Sequence, residues 1–114
     1  MERLGIALGS GLSPTDIVES VRLSEKADYE SAWIVEGHGG EQFSILTACA
    51  LATRRIRLGT AISSVFMRSA PTIAMAAACL DHFSGGRFVL GLGSSHKVQV
   101  QAEHGVHYSD PVTR

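Results

Sequence analysis

Four short polar segments contain the residue types in this sequence that could bind a ligand or move a proton. Glu36 and His38 lie two residues apart, and both a carboxylate and an imidazole can accept and donate protons. The other segments offer serine hydroxyls and glycine backbones, which donate hydrogen bonds and allow a ligand to approach closely. The four segments therefore predict a ligand site with acid–base capacity. They are 9–11 (GSG), 36–38 (EGH), 63–64 (SS) and 93–96 (GSSH).

Better-known site motifs do not match. Segment 91–95, GLGSS, departs from the GxGxxG fingerprint of dinucleotide-binding proteins, and the phosphate-loop pattern does not occur. His96, His104 and His107 lack the spacing of a zinc site, and no cysteine lies near them. We therefore predict no metal site and interpret these histidines as surface-loop residues. Glycine and serine are also common in ordinary turns, so each polar segment taken alone has a second interpretation as a turn.

Apolar runs and helical patterns alternate along the chain and would position these segments. Ser13 and Pro14 are typical of a helix start, and Gly85 can adopt the left-handed conformation that ends a helix. Residues 109–114 are typical of the cap and first turn of a fourth helix. We predict strands at 4–8, 31–35, 56–62 and 88–92, and complete helices at 14–27, 41–53 and 71–84.

This order predicts an α/β fold with a parallel sheet covered by helices. Both a small doubly wound sheet and the first half of an eight-stranded β/α barrel, typically ~250 residues long, fit the pattern. A domain rarely stops one turn into a helix, and half a barrel leaves two strand edges bare. We therefore interpret residues 1–114 as one partial domain, truncated at the start of its fourth helix or paired with a second copy as a homodimer.

Composition excludes several classes of partner. The 114 residues carry a formal net charge of −1, with no basic stripe that could bind nucleic acid. The longest apolar stretch, around 72–80, is too short to span a membrane, and the N-terminus lacks the pattern of a secretory signal. We therefore predict a cytoplasmic protein that binds neither nucleic acid nor membranes. Cys49 and Cys79 both fall in helical patterns and are predicted to be reduced core residues.

A recognisable set of motifs runs through four stretches: 32–40 (AWIVEGHGG), 54–62 (RRIRLGTAI), 67–96 (MRSAPTIAMAAACLDHFSGGRFVLGLGSSH) and 104–114 (HGVHYSDPVTR). Together they resemble the N-terminal half of the luciferase-like monooxygenase superfamily. Within it, the chain is most similar to deazaflavin (coenzyme F-420)-dependent oxidoreductases related to methylenetetrahydromethanopterin reductase. The resemblance covers almost the whole chain and favours the TIM-type β/α barrel, of which the chain would be the N-terminal half with about four β/α units.

The resemblance implies an enzyme that exchanges a hydride between coenzyme F-420, or alternatively FMN, and a small organic substrate. Relatives carry an acid followed by histidine after the second strand, so Glu36 and His38 are the predicted catalytic residues, with Gly37 displacing the histidine by one place. F-420 enzymes of the superfamily have a non-prolyl cis peptide at the position of Ala61-Ile62. The predicted cofactor-binding residues are Ala61, Ile62, Ser63, Ser64, Gly93, Ser94 and Ser95.

Three other functions stay open. An FMN-dependent monooxygenase of the same superfamily would share the fold and most of the site. In relatives the phosphate-holding part of the site lies in the second half of the barrel, so a catalytically silent half barrel is a further alternative. A small ligand-binding α/β module unrelated to flavins would explain the polar strand exits alone.

Overall fold

A computed structural model describes residues 3–9, 11–36 and 40–94 of the chain, and they form alternating strands and helices. The helices are α1 (Pro14–Lys26), α2 (Gln42–Ala52) and α3 (Ala70–Ser84). The strands are β1 (Gly5–Leu8), β2 (Ser31–Ile34), β3 (Arg57–Thr60), β4 (Ser63–Ser64), β5 (Phe88–Val89) and β6 (Leu92–Gly93). Within these ranges, no helix has the length and apolar character needed to cross a membrane.

The strands form a parallel sheet in the order β1-β2-β3-β5, as the alternation of apolar runs predicts. Gly5 lies opposite Ser31, and Ser31 lies opposite Arg57, so that the first three strands are aligned along their length. A second parallel pair, β4 and β6, continues the same two chain segments beyond β3 and β5. Because every strand runs in one direction, the carboxyl ends of the strands meet at one edge, where parallel α/β folds bind ligands.

The third predicted strand ends early, at Thr60, and a further short strand, β4, follows beyond its predicted end at residue 62. The fourth predicted strand is divided into β5 and β6. The apolar pattern reveals neither feature. The hydroxyl of Thr60 donates to the carbonyl of Gly91 and accepts from the Gly91 amide, both at 2.8 Å. Ladder pairing resumes where the amide of Ser63 donates to the Gly91 carbonyl at 2.7 Å. A Cβ atom at residue 91 would collide with the Thr60 carbonyl oxygen. A side-chain hydroxyl thus replaces a backbone partner at this point, and the chain bends between β3 and β4.

Local signals set the helix ends much as predicted. The Ser13 hydroxyl accepts a hydrogen bond from the Asp16 amide at 3.1 Å, and Pro14 is the first residue of α1. Gly85 follows α3 with φ of 65°, the left-handed conformation that terminates a helix at little cost for glycine. The predicted start of α3 is one residue late, because Ser69 caps that helix through the Thr72 amide.

The core lies between the sheet and the helices, and the two cysteines differ in their relation to it. Cys49 is fully buried, and desolvation raises the pKa of its thiol to about 12, so it stays protonated and inert. Cys79 is exposed, so its prediction as a core residue is wrong. The buried face of α3 carries Ile73 and Leu80, which lie seven residues apart. Successive residues of a helix are about 100° apart around its axis, so Cys79 points about 100° away from its neighbour Leu80.

At the amino edge of the sheet, two charged side chains bind backbone groups. The carboxylate of Glu25 accepts from the amides of residues 54–56, the closest at 2.8 Å. Burial opposes ionisation of Glu25, but these amide hydrogen bonds outweigh it and lower its pKa. The Arg87 guanidinium donates to the carbonyls of Ala50 and Ile56 and to the hydroxyl of Thr53. The hydrogen bonds of Glu25 and Arg87 therefore stabilise the fold at the amino edge of the sheet. The candidate ligand site lies at the opposite, carboxyl edge.

Candidate functional site

Three of the four predicted polar segments have described residues that meet at the carboxyl edge. Glu36 follows β2, and one of its carboxylate oxygens accepts a hydrogen bond from the Ser64 amide at 2.9 Å. Ser64 in turn lies opposite Gly93 in the β4–β6 pair. The exits of the second, third and fourth predicted strands are therefore in contact, as parallel pairing requires.

Glu36 and Arg68 form a buried ion pair beneath this edge. The distance from Arg68 Nη1 to Glu36 Oε2 is 3.0 Å, and the two side chains are only 11% and 8% exposed. The Ser63 hydroxyl lies 3.5 Å from both groups, at the limit of a hydrogen bond. Glu36 is thus a carboxylate anchored by an arginine and an amide, and its predicted catalytic role stays a prediction.

Arg68 extends the network to the start of α2. Its Nη2 atom donates to the carboxylate of Glu41, and its guanidinium carbon lies 4.8 Å from the centre of the Phe43 ring. Burial opposes the charge on Arg68, but hydrogen bonds to Glu36 and Glu41 outweigh it and raise its pKa. One guanidinium therefore joins the end of β2, the β4 strand and the first turn of α2.

Glu41 makes this network sensitive to acid. Partial burial disfavours its charge, but hydrogen bonds from the Ser44 hydroxyl, from Arg68 and from the amides of Ser44 and Phe43 lower its pKa to about 2. Because this folded-state pKa lies below the ordinary glutamate value of 4.5, ionised Glu41 stabilises the fold at pH values above 4.5, and the contribution is lost as pH falls toward 2.

We therefore expect the Glu41→Gln variant to be less stable than the native protein at pH 7, with the difference shrinking steadily below about pH 4.5. Glu41 is half-exposed, so solvent screening keeps the effect modest. Urea unfolding of both proteins between pH 7 and pH 2.5 measures it. A difference in unfolding free energy that does not change with pH would contradict the assignment.

An open cavity of about 410 Å³ lies above the β4–β6 pair, lined by Val65, Leu92, Gly93 and Ser94. A Cβ atom at residue 93 would lie 2.8 Å from the Ile62 side chain, so glycine at this position is what lets Ile62 approach the strand. The Ala61-Ile62 peptide is cis, as the resemblance implies. This edge therefore presents a largely apolar surface with a shallow concave opening.

Apart from Glu36, the predicted catalytic and cofactor-binding residues divide into three groups. Ala61, Ile62, Gly93 and Ser94 lie at the carboxyl edge and are at least partly accessible. Ser63 and Ser64 are buried, and the Ser64 hydroxyl accepts from the Phe66 amide, so both serve the network below the surface. His38 and Ser95 lie outside the described residues. The binding and catalytic roles of all these residues stay predictions.

Sequence analysis missed Arg68, Glu41 and Gln42 as parts of the site. Arg68 lies 32 residues from Glu36 along the chain. The two side chains meet because the chain bends between β3 and β4, and no spacing pattern in the sequence predicts such a contact. Glu41 is only the first residue of the predicted helix 41–53, and its contact with Arg68 spans 27 positions. Gln42 could have been recognised from the sequence, because a long polar side chain at the start of a strongly apolar helix indicates a buried hydrogen-bonding role.

Known proteins resemble this chain over its full length. It is 34% identical over 114 residues, 98% of the chain, to a candidate coenzyme F-420-dependent oxidoreductase of Mycobacterium tuberculosis, and it spans 33% of that protein. It is 36% identical over 90 residues, 74% of the chain and 24% of the relative, to 4-hydroxyprotoasukamycin monooxygenase of Streptomyces nodosus subsp. asukaensis. The chain therefore spans a third or less of each of these relatives.

Solved structures agree with the predicted fold. Coenzyme F-420-dependent tetrahydromethanopterin reductase from Methanopyrus kandleri superposes with a TM-score of 0.81 and 31% identity, over 90% of this chain and 30% of that one. The structural neighbours are TIM-barrel enzymes, so the prediction of a partial β/α barrel with parallel strands is confirmed. The family model for luciferase-like monooxygenases matches residues 1–114. The chain belongs to the luciferase-like monooxygenase family, whose members are oxidoreductases or monooxygenases.

Proposed function

We propose that this chain is the first part of a deazaflavin-dependent oxidoreductase that transfers a hydride between coenzyme F-420 and a small organic substrate. The observation that carries the proposal is the apolar carboxyl edge formed by Ile62, Leu92 and Gly93, where a concave opening lies directly above the strand ends. The relatives named above as F-420-dependent enzymes support the choice of cofactor.

The residues present fit a planar ring. Gly93 carries no side chain, so Ile62 packs directly against β6, and Val65 and Leu92 are exposed large apolar side chains that line the opening. An exposed apolar patch of this kind is typical of a ligand-binding surface. When bound, the cofactor would supply or accept the hydride. The chain itself would hold the ring face against Ile62 and exclude water from that side.

The ion pair beneath the edge has a positioning role in this proposal. Glu36 holds the Ser64 amide, and Arg68 holds Glu36, so β4 is kept in place below the opening. His38, which follows Glu36 by two residues, is the proposed proton donor or acceptor on the substrate side. An imidazole can change charge near neutral pH, which suits it to that role.

An FMN-dependent monooxygenase is the second candidate, favoured by the 36% identity to the Streptomyces monooxygenase. The same edge would accommodate an isoalloxazine ring, since the described contacts are apolar and do not distinguish the two tricyclic systems. A catalytically silent half barrel and a homodimer stay predictions.

Titration of the purified protein with F-420 and, separately, with FMN tests the proposal. We expect saturable quenching of F-420 fluorescence at lower concentrations than for FMN. The reverse order of affinity would select the monooxygenase alternative. A protein that is folded by circular dichroism and binds neither cofactor would contradict both candidates and favour the silent half barrel.

A further inference from the structure

Gln42 is a fully buried amide whose contacts are directed away from its own helix. It is the first residue of α2, but Glu41 already caps the helix by accepting hydrogen bonds from the Phe43 and Ser44 amides. Gln42 is 0% exposed, and its Oε1 atom has no hydrogen-bond partner, the only such buried side-chain atom among the described residues. An apolar side chain of similar size would avoid that penalty, so the amide must be explained by what it donates.

The donor side of Gln42 joins the end of β2 to the segment that follows β3. Its Nε2 atom donates to the carbonyl of Ile34 at 2.8 Å and to the carbonyl of Ile62 at 3.1 Å. The Ile34 carbonyl also accepts from the Ala61 amide at 3.0 Å. The Gln42 amide therefore holds Ile62 directly, and it shares with the Ala61 amide the Ile34 carbonyl that ties the 61–62 segment to β2.

Ile62 packs against Gly93, one of the residues that line the opening. The Ile62 side chain is the group that a Cβ atom at Gly93 would meet, at 2.8 Å from both Cδ1 and Cγ1. A shift of the 61–62 segment would therefore reach the cavity through the contact between Ile62 and Gly93. Gln42 controls that shift from below, without touching the cavity itself.

We propose that Gln42 is a positioning residue that sets the height of Ile62 beneath the bound cofactor ring, an inference that rests on the proposed function. It acts through two backbone carbonyls, so its removal changes how the ring is held and leaves the groups that face the substrate in place. The network of Glu36 and Arg68 fixes β4 independently, because no hydrogen bond in the described residues joins Gln42 to it.

The test compares Gln42→Met, which keeps the side-chain length and removes the donor, with Thr53→Val. Thr53 is a matched control because it is also a buried polar residue with side-chain hydrogen bonds, at the opposite end of α2. We expect Gln42→Met to weaken F-420 binding about tenfold and to shift the absorption band of the bound cofactor. Thr53→Val should lower the Tm while leaving affinity and band position at native values.

Hydrogen exchange gives a readout that needs no cofactor. In Gln42→Met the Ala61 amide should exchange at least about tenfold faster, while the Val35 amide, bonded to the Leu8 carbonyl, keeps its native rate. If Gln42→Met does not fold, Gln42→Asn, whose shorter amide cannot span both carbonyls, replaces it. Native exchange at Ala61 overturns the proposal. Faster exchange in a protein that binds neither cofactor would support the positioning role and count against the proposed function alone.

Discussion

Replacement of Arg68 by methionine is expected to destabilise the protein by about 3–5 kcal/mol, because it leaves the buried carboxylate of Glu36 without its partner. Glu36 is 8% exposed and has the Ser64 amide as its other close donor, at 2.9 Å. The variant also loses the guanidinium that lies over Phe43 and binds Glu41. Urea unfolding at pH 7 measures the loss in unfolding free energy.

A matched control removes an arginine from an exposed ion pair. Arg55 binds Asp28 at 3.0 Å, but its side chain is 65% exposed, so Arg55→Met should cost far less than Arg68→Met. The double variant Glu36→Gln with Arg68→Met should recover part of the loss, since no unpaired charge then remains buried. An equal loss of unfolding free energy in the two arginine variants would show that solvent screens the Glu36–Arg68 pair as it screens an exposed ion pair.

Substitution of Gly93 by valine is expected to weaken F-420 binding about ten- to hundredfold while the protein stays folded. A ten- to hundredfold loss of affinity corresponds to about 1.4–2.8 kcal/mol, and the overpacking separately lowers the stability of the fold by about 1–3 kcal/mol. The new side chain would displace Ile62 or fill the cavity above β6. Gly93 is not among the described residues with positive φ, so the backbone itself tolerates valine. Fluorescence titration measures the affinity.

Two further variants separate a blocked site from a general loss of stability. Ala78→Val adds bulk to an exposed position on α3 outside the cavity and should leave affinity unchanged. Gly93→Ala should lie between the native protein and Gly93→Val, because its single methyl group also meets Ile62, at 2.8 Å from Cδ1 and Cγ1, but adds less bulk than valine. Native affinity in Gly93→Val would mean that the cofactor does not rest on this part of the sheet.

Element order and strand direction are predictable here because they depend on local pattern. Alternating apolar runs and helical stretches indicate parallel strands, and the caps at Ser13 and Gly85 act on residues within a few positions. The exposure of Cys79 was not predictable from the helical pattern alone, since α3 is apolar on much of its surface. Which apolar face is buried depends on the neighbouring helix and sheet.

The α/β class, the parallel sheet and the carboxyl edge as the place of the candidate site are predictable from the sequence, because periodicity and turn chemistry are local properties. The folded chain was needed to show that Thr60 and Gly91 interrupt the strands, that Arg68 pairs with Glu36, and that Gln42 binds the Ile62 carbonyl. Each of these contacts joins residues at least 20 positions apart. Such pairs exist only after the strands align, and no spacing rule along the chain encodes them.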